Sequence, residues 1–232
     1  MGLNLYAKIE QFLDFEDEVT KLHGVFLSVI LEKKLDNILD VGCGQGSFLN
    51  QLSTLSLNSY GIDLSSEQIK ICKQNGIKNV SSIPLNEVKE KYDCTTAIFD
   101  VINYIPKNGI KTFFNQMSLV LNQGGYFIFD VNSLFGFEEV AQGTLSIDLG
   151  DKFVVIDANF EEEKLITDIT LFSQNKSKLF TKENDCIIQY YYERSELKDL
   201  LKTSGFEVEK IIDFNLHDSC ENDKEIYICK KS

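Results

Sequence analysis

The sequence predicts an α/β fold: a doubly wound, largely parallel sheet into which a small antiparallel β unit is inserted. Three observations carry this. Short β-rich runs alternate with helical periodicity between residues 37 and 131, the pattern of parallel strands joined by crossover helices. From roughly residue 140 to residue 192 that alternation gives way to strand-like runs separated by polar turns, which reads as an antiparallel sheet. Hydrophobic residues make up 43% of the 232 and aromatics 11%. A chain of this length buries about 70% of its extended surface, so a core is attainable without metals or disulfides.

The elements follow in order. Residues 5–34 read as helical, with Phe12, Val19, Phe26, Val29 and Ile30 falling on one helical face. Residues 37–41 form the first strand, after which Phe48, Leu49, Leu52 and Leu55 share a helix face. Residues 59–63 are the second strand, and Ser65 with Gln68 is the capping-box pattern of a helix running to Asn75. A weak strand at 78–80 and a strong one at 94–101 come next. Ile110, Phe113, Phe114, Met117 and Leu121 mark a helix that Gly124-Gly125 ends before a strand at 126–131. Right-handed crossovers restrict this series to a few doubly wound orders. The inserted unit holds runs at 145–149, 153–156, 165–172 and 186–192, and Glu161-Glu162-Glu163 reads as a solvated hairpin turn. A helix at 195–204 and strands at 206–214 and 225–229 resume the frame, the last two able to pair across the polar loop 217–223. Residues 1–133 and 193–232 therefore form one core and residues 134–192 an inserted subdomain.

Charge narrows the partners. The 36 acidic and 23 basic residues give a net charge of −13, and the densest basic cluster is Lys230-Lys231. Such a chain repels phosphate backbones and anionic membranes, so neither nucleic acid nor a membrane is expected as a partner. The six cysteines contain no C-x-x-C pair, which leaves no zinc or disulfide signature and favours reduced thiols in the cytoplasm. No metal site is expected.

The chemistry-bearing segment is Leu39-Asp40-Val41-Gly42-Cys43-Gly44-Gln45-Gly46-Ser47. Glycines at alternate positions permit positive φ and close approach of a ligand to the backbone, and the following helix offers its N-terminal N–H groups. Asp63 ends the second strand, where a carboxylate can accept both hydroxyls of a ribose; the plainer role for it is to cap the next helix, although Ser65 already serves as a cap. The dinucleotide fingerprint G-x-G-x-x-G would need glycine or alanine at 47, where this chain has Ser47.

The pattern Asp40-x-Gly42-x-Gly44-x-Gly46, with Asp63 closing the second strand, resembles class I S-adenosylmethionine-dependent methyltransferases. Residues 99–104 (Phe-Asp-Val-Ile-Asn-Tyr) look like that family's fourth-strand segment, and residues 124–132 like its fifth. The stretch from Tyr192 to Phe206 is similar to its closing helix–strand unit. The insertion resembles the lid of the small-molecule branch, which includes glycine and amino-sugar N-methyltransferases.

The resemblance implies a Rossmann-like sheet of seven strands with the last antiparallel, and S-adenosyl-L-methionine as cofactor. Gly42, Gly44 and Gly46 would cradle its methionine part with Asp40 near the ammonium, and Asp63 would hold the ribose. Leu64, Ser82 and Ile83 would border the adenine, and Asp100 and Ile102 would close the pocket. Asn103 and Tyr104 would face the acceptor. Ser81-Ser82 stands where many relatives carry an adenine-binding aspartate. No Asn/Asp-Pro-Pro-Tyr motif exists, since Pro84 and Pro106 are the only prolines, which argues against methylation of adenine, cytosine or glutamine.

A small-molecule acceptor is therefore expected, with a homodimer compatible with the fold. Candidate acceptor contacts are Tyr6, Asn103, Tyr104, Tyr192 and Arg194, the last equally able to pair with a carboxylate. Candidate bases are His217, His23 and Tyr104. Residues 134–192 hold eleven acidic and five basic side chains, so the lid is expected to favour a cationic or amine-bearing acceptor. The competing readings are a methyltransferase-like protein that binds without turnover and an NAD-dependent oxidoreductase.

Overall fold

The computed structural model describes residues 2–232. Seven strands form the main sheet: β1 (Asn37–Val41), β2 (Asn58–Ile62), β3 (Val80–Ser81), β4 (Tyr92–Ala97), β5 (Leu121–Asn132), β10 (Phe206–Phe214) and β11 (Lys224–Lys231). Their order is β10-β11-β5-β4-β1-β2-β3. The first five are mutually parallel, while β11 enters antiparallel between β5 and β10. Strand order thus reverses beside β1, and the crevice at that switch point is where an open α/β sheet takes its ligand.

The two faces are covered by helices, which makes the central strands apolar on both sides. α2 (Glu16–Lys33), α3 (Ser47–Thr54) and α4 (Ser66–Gln74) serve one cluster with Ile38, Cys94, Ile128 and Ile226. α5 (Ile110–Val120) and α6 (Arg194–Thr203) serve the other, with Leu39, Phe127, Phe129 and Tyr227. The aromatic run of β5 is central to it: the rings of Phe127 and Phe129 stack at 4.6 Å, and Phe129 stacks on Tyr227 at 4.8 Å.

The second sheet is antiparallel, in the order β6-β7-β8-β9, from β6 (Gly143–Asp148), β7 (Lys152–Glu161), β8 (Lys164–Gln174) and β9 (Phe180–Tyr190). Its inner face carries Val154, Ile169, Leu171 and Ile187 and packs on Leu5 and Ile9 of α1 (Leu3–Ile9). Charge reaches the edge of this face as well: Glu183 of β9 pairs with Lys8 of α1 at 2.5 Å, and the Lys152 ammonium lies over the Phe12 ring. Glu162 and Glu163 form the β7–β8 turn, both at positive φ, as the solvated-turn reading anticipated.

Three element boundaries differ from expectation. The helix expected over 5–34 is divided, because α1 ends in a 3-10 turn and α2 starts at Glu16. The fourth strand ends at Ala97, and Val101–Tyr104 forms a 3-10 turn. Gly124-Gly125 lies inside β5, since the helix before it already stops at Val120. Among the described residues no helix is long and apolar enough to cross a membrane.

Candidate active site

β1 delivers the glycine turn to the carboxyl edge of the sheet. The N–H groups of Gly42 and Cys43 both donate to Ile62 O, at 2.8 and 3.0 Å, tying the turn to the end of β2. Gly42, Gly44 and Gly46 all have positive φ (76°, 52° and 83°), the left-handed region that costs other residues about 1–2 kcal/mol. A β-carbon on Gly42 would strike Val101, and one on Gly46 would strike Cys72 and Ile77. At Gly44 nothing lies within 4 Å of that position. That open space against bare backbone is the cradle a ligand can fill.

Asp63 stands beside it. Its Oδ2 accepts the Gly44 N–H at 3.0 Å and its Oδ1 the Ser65 N–H at 2.7 Å, while Ser65 Oγ caps α4 by accepting from Gln68 N. Capping is thus done by Ser65, and the carboxylate retains lone pairs for hydroxyl donors. Burial raises the pKa of this acid, with the two N–H donors opposing. Leu64 is exposed, Ser82 Oγ lies 3.5 Å from its carbonyl, and Ile83 packs against the core. Asp40 is nearly inaccessible and accepts a hydrogen bond from Thr96 Oγ1 at 2.7 Å. Burial pushes it up to about 7.

α1 crosses above the turn, a contribution the sequence did not disclose. Glu10, just past its end, accepts from Gln45 Nε2 at 3.1 Å and Gln68 Nε2 at 2.7 Å. Ser65 Oγ donates to Asn4, and Gly2 N donates to Cys186 O on the second sheet. The segment therefore bridges the glycine turn and the inserted sheet. Its Tyr6 meets Tyr104 in the same apolar cluster, and burial pushes both phenols up. Glu10 and Gln68 are 58 residues apart, and no local pattern relates them.

The remaining candidates divide. Asp100 is part-exposed at the end of β4 and pairs with Lys224. Ile102 is inaccessible within the main core. Asn103 is built into the frame: its Nδ2 donates to Tyr190 O at 2.9 Å and its Oδ1 accepts Asn132 N at 3.1 Å. Tyr192 is buried in the core with its hydroxyl on Ile105 O at 2.6 Å. Arg194 pairs with Asp213 and Glu225. These last three were expected to touch the acceptor; the structure engages their polar groups in holding the sheet, insertion and α6 together. His23 is buried against Phe48 and Phe99, and burial lowers it to about 4, so it is a neutral core residue. His217 presents Nδ1 to Asp223 Oδ2 at 2.5 Å, an imidazole–carboxylate pair in the β10–β11 loop.

The chain matches the methyltransferase-domain family over residues 12–211. It belongs to that family. The resemblance carried by the glycine turn and Asp63 is thereby upheld. In fold, the chain is similar to a S-adenosylmethionine-dependent methyltransferase from Clostridium acetobutylicum, with a TM-score of 0.80 and 21% identity over 99% of this chain and 100% of that one. It is also similar to a sugar N-methyltransferase from a Streptoalloteichus species, with a TM-score of 0.74 and 15% identity over 97% of this chain and 91% of the other. A third likeness is to the S-adenosylmethionine-bound amino pentose methyltransferase of calicheamicin biosynthesis from Micromonospora echinaspora, with a TM-score of 0.70 and 14% identity over 97% and 95%. The open cradle at Gly44 and the inward carboxylate of Asp63 fit S-adenosylmethionine.

Proposed function

We propose that this methyltransferase moves the methyl group of S-adenosylmethionine to a nitrogen of a small amine-bearing acceptor. The observation that carries this reading is the gathering of acid at the glycine turn: Asp63 accepts the Gly44 N–H and Glu10 accepts from Gln45, and both, with Asp100, help to raise the buried Tyr104 phenol. Acid gathered in this way attracts cations and repels anions, which suits an amine and disfavours a carboxylate-rich acceptor. The similar fold of the sugar N-methyltransferase supports the same class.

When bound, the cofactor would supply an electrophilic methyl group, with its sulfur as the leaving atom, for the lone pair of the acceptor nitrogen. The chain's own residues align and shield. The backbone of Gly42, Gly44 and Gly46 would hold the methionine part, with Asp40 behind it, and Asp63 would receive the ribose hydroxyls. Leu64, Ser82 and Ile83 border the base. Tyr6 and Tyr104 orient the acceptor, while the inserted sheet and α1 exclude water. Alignment of nucleophile and methyl can account for about 7–11 kcal/mol of barrier reduction. Tyr104 keeps its proton and acts as a hydrogen-bonding group. His217, whose Nδ1 is fixed by Asp223, offers Nε2 to take the proton the acceptor nitrogen loses.

The test is a methyl-transfer screen with radiolabelled S-adenosylmethionine against small amines, alcohols and carboxylate-rich compounds. Label is expected on amines. Label confined to carboxylate-rich acceptors overturns the amine assignment, and tight cofactor binding without transfer to any class favours a binding protein.

A further inference from the structure

A buried polar cluster at the ends of β4, β5 and β11 is not needed to cradle the cofactor. Lys224 opens β11 with its side chain 2% exposed. Its Nζ donates to Asp130 Oδ2 and Asn132 Oδ1, both at 2.9 Å, and to Asp100 Oδ1. Asp130 is inaccessible and also accepts the N–H groups of Phe99 at 2.7 Å and Asp100 at 3.3 Å. Burial works against the ammonium of Lys224, but the two carboxylates outweigh it and hold its pKa up.

Asp100 differs from its partners. Its side chain remains 18% exposed, and its backbone sits at φ 62°, a conformation that persists in a non-glycine residue only when its surroundings impose it. Here the Asp130 carboxylate takes its N–H while Lys224 takes one oxygen of its side chain. One cation against two carboxylates leaves the cluster with a surplus negative charge. Asp130 is sealed inside, so that charge is presented through Asp100, which opens the 3-10 turn carrying Tyr104 and whose carbonyl accepts the Asn103 N–H at 2.7 Å. Buried ion clusters are inefficient at stabilising a fold compared with apolar packing. What this one accomplishes is to fix a carboxylate in place at the rim of the site.

Resting on the amine reading above, we propose that Lys224, braced by Asp130, is a positioning residue that aims the Asp100 carboxylate at the acceptor's amine. Lys224 itself touches neither cofactor nor acceptor. It sets the orientation of the group that does.

Sinefungin probes this without knowledge of the acceptor. It carries an amine-bearing carbon in place of the methylated sulfur, so its ammonium projects where the methyl would lie; S-adenosylhomocysteine has no such group. Calorimetry on the full chain measures the affinity ratio of the two. Lys224→Met is expected to reduce the preference for sinefungin about ten-fold, the scale of one charge-assisted hydrogen bond, with S-adenosylhomocysteine affinity unchanged, and Asp100→Asn, which alters the pocket itself, to cost sinefungin about ten-fold more than it costs S-adenosylhomocysteine. Lys224→Arg is expected to retain the preference. The double variant Lys224→Met/Asp130→Asn removes the stranded buried charge, and its loss of preference at wild-type melting temperature would support the assignment. An unchanged ratio, or equal weakening of both ligands, overturns it. A blank amine screen alongside a shifted ratio defeats the amine reading and with it the amine as the target, while Lys224 still sets the direction of the Asp100 carboxylate.

Discussion

The two halves of the crevice are made of different material. The cofactor half is backbone: a turn of three glycines at positive φ, closed by the N–H groups of Gly42 and Cys43 on Ile62 O, with a single carboxylate beside it. The proposed acceptor half is made of side chains gathered from distant segments, Tyr6 from α1 and Asp100 and Tyr104 from the turn after β4, with Lys224 of β11 bracing it from behind. A backbone-built cradle has few ways to change without losing its shape. A side-chain-built wall can be altered one residue at a time over a constant frame, as a family with varied acceptors requires.

Substitutions can break or sharpen this contrast. The largest effect is expected in the cradle. Gly46→Ala forces a left-handed alanine against Cys72 and Ile77, and strain plus crowding should remove about 2–5 kcal/mol of stability, read as a lower denaturant midpoint. His23 comes next and tests the frame. Its folded pKa of about 4 lies below the ordinary 6.5, so the unfolded chain binds the extra proton between those values. The stability it contributes is complete above pH 6.5 and is lost as the pH falls toward 4, about 3 kcal/mol in all. Asp40, raised to about 7, acts in the opposite sense, losing stability as pH rises from the ordinary carboxylate range through 7. The difference between wild-type and His23→Leu unfolding curves across pH 4–6.5 therefore isolates the histidine.

Smaller effects discriminate roles. Asp63→Ala should weaken S-adenosylmethionine binding by about 1–3 kcal/mol in calorimetry; an unchanged dissociation constant would remove Asp63 from the cofactor half. Tyr192→Phe should cost about 1 kcal/mol of thermal stability and leave acceptor KM as it was, since its hydroxyl serves Ile105 O. A KM rise without destabilisation would return Tyr192 to the acceptor wall. Arg194→Ala should change stability by less than about 1 kcal/mol and turnover not at all.

The same contrast explains what could be read from the sequence. The cradle was legible because its logic is local: Asp40 through Gly46 and Asp63 fall within one strand–helix–strand unit, where spacing constrains the backbone. The doubly wound order and the antiparallel insertion were legible for the same reason, being written in periodicity. The expected acceptor contacts divide: Tyr6 and Tyr104 come together in one apolar cluster, whereas the other three are engaged elsewhere. Asn103, Tyr192 and Arg194 are polar residues at a strand edge or helix start, and nothing local tells a wall residue from a brace. Asn103 is a brace because Tyr190 O and Asn132 N happen to converge on it. Lys224 is 94 residues from Asp130 and 124 from Asp100, and only the antiparallel register that sets Lys224 opposite Asn132 brings them together. A lysine at the head of a strand otherwise reads as solvent-exposed.

The place of β11 in the sheet has a consequence for biosynthesis. This strand is inserted between β5 and β10, yet it emerges from the ribosome after every other element described. Chains fold from the N-terminal end as they are made, so the glycine turn and its flanking strands can settle on a nascent chain. Asp100 and Asp130 meanwhile face one another without a counterion. Only when the final strand slides into the gap does the lysine arrive to reconcile them, and translation leaves the second half of the crevice until last.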